Sequence, residues 1–146
     1  MATSAFNFQT TEGDLPSEVK VVDEGLGQYN GRAANMGAVV PFACLVRGRD
    51  AQRVIGGALA RRWGGCCELQ QLWVDDRFRG AGLGREIMQR IEAHAASHGC
   101  TLIFLDTFSF QCPAFYAKLG NEVVCQFEGF PDGISKLILQ KRLQNS

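Results

Sequence analysis

The sequence predicts a mixed α+β fold in a single domain spanning residues 1–146, and three observations carry that reading. Hydrophobic residues make up 46% of the chain and charged residues 21%, a balance that supplies one ordinary core. Short runs rich in Val, Ile, Leu and Ala are interspersed with segments whose apolar residues recur every four positions, so strands and helices are mixed along the chain. One of those helical segments lies between two strands, which predicts a β-α-β crossover with parallel strands and a right-handed connection. The expected order is β-α-β-β-β-α-β-α-β-β, with no repeat, linker or low-complexity tract.

Phe6 to Thr10 reads as a short first strand. Pro16 followed by Ser17 and Glu18 then marks a helix start, because Pro and acids suit the first turn. The helix is expected from Ser17 to Ala34, with Val21, Val22, Leu26 and Tyr29 as its apolar stripe and a kink or break at Gly25 and Gly27. Two strands follow, Ala38 to Val46 and Arg53 to Arg62, joined by the polar connection Arg47-Gly48-Arg49-Asp50. With a third strand, Cys66 to Val74, they form an antiparallel meander.

The second helix is expected from Gly82 to His98. Leu83, Ile87, Ile91 and Ala95 make its buried face, Glu86 and Arg90 an ion pair on the other side, and Gly99 the stop. Thr101 to Asp106 is a short apolar strand buried on both faces. A short helix, Pro113 to Leu119, ends at Gly120. The strands Glu122 to Glu128 and Ile134 to Lys141 close the chain, separated by the turn Phe130-Pro131-Asp132-Gly133.

Composition excludes several function classes. Fifteen basic residues balance fifteen acidic ones, so there is no electrostatic footprint for nucleic acid. No window is apolar enough to span a membrane, and the N-terminal residues have neither the charged nor the apolar region of a signal peptide. An even count of six cysteines can suggest disulfides, but several lie inside apolar runs such as PFACLV and EVVCQF, which predicts free, buried thiols in a reducing cytoplasm. With only His94 and His98 to assist them, no metal site is expected.

The stretch Arg77-Phe78-Arg79-Gly80-Ala81-Gly82-Leu83-Gly84-Arg85 places three glycines and three arginines at a helix start. Such a start leaves backbone N–H groups unpaired and carries about half a positive charge. Glycines let those groups approach an anion closely. A phosphate cradle and a plain strand-to-helix turn with positive φ both satisfy this composition. The P-loop pattern fails because no Lys-Ser/Thr follows, and the dinucleotide pattern fails because Arg85 takes its third glycine place. The pattern R-x-x-G-x-G/A fits twice, from Arg77 and from Arg79.

LWVDDRFRGAGLGREIMQRIEAHAASHGC resembles the acyl-CoA-binding motif of the GNAT superfamily of N-acyltransferases, and PAFYAKLGNEVV resembles that superfamily's second motif. Asn121 stands where an aromatic residue usually ends the second motif. The resemblance covers roughly Ala38 to Leu143. It implies a GNAT-like fold, a twisted mixed sheet of six to seven strands splayed at the centre and flanked by about four helices. It also implies acetyl-CoA as cosubstrate, held by the backbone of Leu72, Trp73 and Val74 along the pantetheine and by Arg79, Gly80, Ala81, Gly82, Leu83, Gly84 and Arg85 around the pyrophosphate. Where many members carry an Asn that contacts CoA, this chain has Ser109, which the resemblance implies as a CoA contact of shorter reach.

The reaction so implied is acetyl transfer to a primary amine. An ammonium group must lose a proton before it attacks, and the departing thiolate gains from a proton donor. Tyr116, at the tyrosine of the second motif, is the expected acid, and it contacts the CoA as well. Glu68 is the expected base, with water relayed from Gln70 or a backbone carbonyl as the rival. Period two places residues 68, 70, 72 and 74 on one face of the strand. Val74 N–H is the donor that the resemblance implies for the thioester oxygen. Phe108, Phe110 and the turn at Phe130 are expected on the acceptor side. The acceptor is a small-molecule or protein amine, and the exposed C-terminal edge strands make a homodimer an expectation too. The rival function is a catalytically silent acyl-CoA-binding module that acts as a regulator.

Overall fold

The computed structural model describes residues 5–49 and 52–144, which divide into two units, one up to Met36 and one from Gly37 onward. In the first unit, Pro16 precedes a 3-10 turn at Ser17–Val19 that leads into α1, Lys20–Ala33. The helix runs without a break through Gly25 and Gly27, contrary to the expected kink. Residues 6–10 form no strand. A strand needs a neighbour to share its ladder, and the elements this unit forms are a 3-10 turn and a helix.

The second unit is built on one six-stranded mixed sheet. Its strands are β1 (Val40–Arg47), β2 (Val54–Trp63), β3 (Cys66–Val74), β4 (Leu102–Phe108), β5 (Glu122–Phe127) and β6 (Lys136–Arg142). Their order across the sheet is β1-β2-β3-β4-β6-β5. The first three form the expected antiparallel meander. Asp50, the last residue of the expected β1–β2 connection, lies outside the described residues. α2, Leu83–Ser97, carries the chain from β3 to β4, and those two strands are parallel, as a crossover requires. α3, Pro113–Lys118, links β4 to β5. The sheet and, among the described residues, three α-helices make this a GNAT-like α+β fold with one helix fewer than expected.

α2 packs on β1, β2 and β3. Its four-residue spacing places Ile87, Ile91 and Ala95 in the core beside Met88, none more than 1% exposed. Burying each of the two isoleucines contributes about 2 kcal/mol. The helix stops where Gly99 adopts φ +87° and Cys100 N–H bonds back to the Ala95 carbonyl. Opposing α2 in the same core are Ala58 and Ala60 of β2, Cys67 and Leu69 of β3, Ile103 and Leu105 of β4, and Leu139 of β6.

The six cysteines are unbridged, but only Cys67 and Cys100 are buried, while Cys66, Cys112 and Cys125 are exposed. Cys125 lies on β5, a strand exposed at all six positions, Cys112 is the left-handed residue before α3 and Cys66 opens β3, which an apolar run does not reveal. Burial pushes the Cys67 thiol up to about 12 and raises that of Cys100, so both behave as small hydrophobes.

Two irregularities shape the middle of the sheet. Leu69 opposes Ala60 and Gln71 opposes Leu59, so Gln70 is an extra residue, a bulge in β3. Before the bulge Cys67 and Leu69 face the core; after it Leu72 and Val74 do. Glu68 therefore lies on the face opposite Leu72 and Val74, and the expected period-two row of 68, 70, 72 and 74 does not exist. The second irregularity is the β3–β4 ladder, which ends at the pair Glu68–Phe104. Beyond that pair the two strands separate, and the rest of β3 has β2 on one side only.

Candidate active site

The turn after β3 begins at Asp75, whose carboxylate accepts from the Arg77 backbone N–H at 3.0 Å and from the Arg77 guanidinium at 3.2 and 3.1 Å. Arg53 adds a further bond at 2.9 Å. The hydrogen bonds from Arg77 hold the Asp75 carboxyl down to about 2. Arg77 is thereby committed to the turn. The chain then passes through Gly80 and Gly82, both at φ +81°, a conformation that side chains with a Cβ resist.

Gly82 starts α2 without a side-chain cap, and the first intrahelical bond is Glu86 N–H to the Gly82 carbonyl at 3.1 Å. The N–H groups of Leu83, Gly84 and Arg85 thus have no helical acceptor. They open onto a cavity of about 690 Å³ whose wall also includes Arg79, Gly80, Tyr116 and β3 residues Leu72, Trp73 and Val74. Arg85 has no ion-pair partner among the described residues. Arg79 is partly engaged, with Nε on the Val74 carbonyl at 3.0 Å and a guanidinium nitrogen 2.9 Å from Asp76. An uncapped helix start, a backbone bent by two glycines and a free cation fit a pyrophosphate. From Arg79 to Arg85, every residue but Ala81 lines the cavity.

Along β3 the backbone groups alternate in direction. Asp75 N–H bonds to the Ile55 carbonyl, so the pairs Ile55–Asp75 and Gly57–Trp73 carry the ladder to β2. Leu72 and Val74 fall between them and turn their N–H and C=O groups to the open edge. Trp73, expected to help pair with pantetheine, has its backbone committed to β2 and contributes its half-exposed side chain instead.

A second cavity, about 310 Å³, fills the gap between β3 and β4. Gln70, Gln71, Asp106 and Phe108 line it, and it shares Leu72, Gln111 and Tyr116 with the larger one. Phe108 stacks on Phe110 at 5.4 Å and meets Phe130 edge-on at 5.4 Å; of the three, Phe108 lines this cavity and Phe110 lies on the wall of the larger one. Glu68 lines neither cavity. It shares its sheet face with Asp106 and accepts from Arg61 Nε at 2.6 Å.

Tyr116 sits on α3 and is 8% exposed. Burial, with the Cys112 thiol nearby, raises its phenol pKa, so the hydroxyl keeps its proton at neutral pH. Phe115 packs edge-on against it at 5.1 Å and also faces Gly84, where an added Cβ would come within 3.2 Å of the Phe115 ring. The close approach of α2 and α3 therefore depends on Gly84. Asn121, in place of the usual aromatic residue, is buried and donates to the Tyr116 carbonyl through both its backbone N–H and Nδ2, each at 3.0 Å. Its amide thus closes the end of α3.

Ser109 does not line either cavity. It is held by Ser135, whose N–H donates to the Ser109 hydroxyl at 3.0 Å and whose carbonyl accepts from Ser109 N–H at 2.8 Å. The sequence reading missed Gln111, Cys112, Phe115 and Phe78 on the wall of the larger cavity. Nearness to Tyr116 along the chain was the available signal for the first three.

Residues 15–120 match the acetyltransferase (GNAT) family. A blasticidin-S acetyltransferase from Streptomyces morookaense is 35% identical over 103 residues, 70% of this chain and 73% of that protein. The crystal structure of an acetyltransferase from Bacillus cereus superposes with a TM-score of 0.75 at 29% identity, over 92% of this chain and 98% of that one. A Bacillus anthracis structure solved in complex with acetyl coenzyme A has the same fold at 14% identity, with a TM-score of 0.62 over 70% of this chain and 62% of that one. The chain belongs to the GNAT acetyltransferase family and is an N-acetyltransferase that uses acetyl-CoA.

Proposed function

We propose that this acetyltransferase moves the acetyl group directly from acetyl-CoA to the primary amine of a small polar molecule, in the gap between β3 and β4. The observation that carries the proposal is the meeting of two cavities at Tyr116, one walled by the glycine turn and the other by polar side chains. The N–H groups of Leu83, Gly84 and Arg85, with the Arg79 and Arg85 side chains, hold the pyrophosphate. Gly80 and Gly82 supply the bend, and Ala81 completes it. The pantetheine runs along the open edge at Leu72 and Val74, beside the Trp73 side chain. Ser109, tied to Ser135, supports this loop through its hydroxyl rather than by direct contact.

The acceptor enters from the sheet face that bears Glu68 and Asp106, beside the aromatic cluster of Phe108, Phe110 and Phe130. Glu68 receives the ammonium proton, relayed by water along Gln70, because its carboxylate does not reach into either cavity. Val74 N–H donates to the thioester oxygen as charge develops there. Tyr116, still protonated, passes its proton to the departing thiolate.

The 35%-identical relative is a blasticidin-S acetyltransferase, which makes blasticidin S the first acceptor to assay. The test is thiol release from acetyl-CoA against a panel of small amines and lysine peptides, with calorimetric titration of acetyl-CoA alongside. Amine-dependent release with a small polar acceptor supports the proposal. Binding with no release for any amine returns the silent-module reading. In the same assay Gly82→Val should weaken acetyl-CoA binding at least about a hundredfold, roughly 2.7 kcal/mol; unchanged affinity would remove the glycine turn from the site.

A further inference from the structure

The residues common to both cavities, Leu72, Gln111 and Tyr116, mark where a thioester in one meets an amine in the other. Tyr116 supplies a hydroxyl there and Leu72 supplies backbone. Gln111 supplies a carboxamide whose orientation is fixed. Its Oε1 accepts from the Phe108 backbone N–H at 2.9 Å and from the Thr107 hydroxyl at 3.4 Å. A backbone N–H has only a proton to offer, so the amide oxygen must take that side. Nε2 is thereby left with no hydrogen-bond partner among the described residues, on a side chain that lines both cavities. A glutamine with its oxygen anchored and its nitrogen free is a positioned N–H donor.

We propose that Gln111 Nε2 donates a hydrogen bond to the thioester carbonyl oxygen of acetyl-CoA, and so completes, with Val74 N–H, a two-donor site for the tetrahedral intermediate. This rests on the acetyltransferase reading above. The amine lone pair forms the C–N bond, and the carbonyl π pair moves onto the oxygen that Gln111 faces. Glu68 has already taken the ammonium proton, and the second proton that nitrogen must lose passes to the Tyr116 oxygen once that oxygen has given its own to the thiolate. The pair then returns from oxygen, the C–S bond breaks, and the thiolate takes the Tyr116 proton. An amide and free CoA thiol result, with no other reactant. The Gln111 bond strengthens as charge builds on oxygen, so its contribution falls on turnover rather than on acetyl-CoA affinity.

The discriminating substitution is Gln111→Glu, whose carboxylate still accepts from Phe108 N–H and the Thr107 hydroxyl but has no N–H to give. The expected result is a kcat for thiol release lower by about a hundredfold to a thousandfold. The calorimetric Kd for acetyl-CoA should stay within about twofold of wild type, and the thermal midpoint should not move. Gln111→Met, similar in length and uncharged, should show the same loss in kcat, which separates the missing donor from the added charge. Wild-type kcat in Gln111→Glu overturns this inference and leaves the acetyltransferase reading intact. A loss confined to acetyl-CoA Kd also overturns it, because the amide then serves binding alone. A wild-type protein that releases no thiol with any amine overturns both.

Discussion

The two halves of β3 differ in one respect that decides what each does. From Cys66 to Glu68 the strand is paired on both edges, to β2 and to β4. From Gln71 to Val74 it is paired to β2 alone. The residues are not much more polar in one half than in the other. The change is made by the Gln70 bulge, which switches the core-facing positions from odd to even numbers, and by the end of the β4 ladder two residues earlier. A strand paired on both edges is structural wall. A strand with a free edge inside a sheet offers backbone donors and acceptors to whatever fits beside it.

The sharpest test of that contrast lies at the open half. Tyr116→Phe keeps the ring that packs on Phe115 and removes only the hydroxyl. Turnover should fall by about a hundredfold or more, with acetyl-CoA Kd within about threefold of wild type. Equal turnover would leave the thiolate to take its proton from water. At the closed half the effect should be reversed. Ile103, fully buried and paired with Cys67, carries core packing only. Ile103→Ala should cost about 2–5 kcal/mol of stability in denaturant titration, while the folded fraction binds acetyl-CoA normally. A large affinity loss there would show that the two halves are not separable.

A finer comparison lies within the turn. Among the described residues Arg85 has no ion-pair partner, whereas Arg77 is locked onto Asp75. Arg85→Ala should weaken acetyl-CoA binding about tenfold in calorimetry and flatten its salt dependence, whereas Arg77→Ala should change affinity less. Equal losses would mean that turn shape, not free charge, sets affinity. The smallest effect is on acid stability. The Asp75 carboxyl is held at about 2 when folded, against an ordinary 3.8. Its contribution is fully present above about pH 4. It is lost as pH falls through the folded value, because the unfolded chain takes up the proton first. Asp75→Asn should be less stable near neutrality and show a flatter decline between pH 4 and 2 in thermal scans.

Much of this architecture was legible in the residues. The four-residue spacing from Leu83 to Ala95 and the stop at Gly99 fix α2 closely, because burial and backbone geometry agree there. The bend of the glycine turn was readable for the same reason, since Gly80 and Gly82 take a φ of +81° that other residues resist. The bulge at Gln70 was not readable. Nothing in Glu68-Leu69-Gln70-Gln71-Leu72 distinguishes a regular strand from one with an inserted residue, and the face of Glu68 depended on that distinction. Ser109 shows a different limit: its short hydroxyl is taken by Ser135, a partner 26 residues away that the motif does not reveal. Gln111 went unnoticed because its value lies in which end of the amide is anchored, and only the positions of Phe108 and Thr107 reveal that.

The break in the β3–β4 ladder has a thermodynamic consequence for the whole unit. It leaves two half-sheets, β1-β2-β3 and β4-β6-β5, whose direct strand contact is three residue pairs long. A ligand seated along the open edge spans that seam and acts as a missing length of strand. Its binding free energy then counts toward folding. At a hundredfold excess over its Kd, the linkage contributes about 2.7 kcal/mol, a sizeable part of a small domain's margin. The protein's resilience is thereby tied to the acetyl-CoA concentration around it, and an enzyme deprived of cosubstrate is also a less stable molecule.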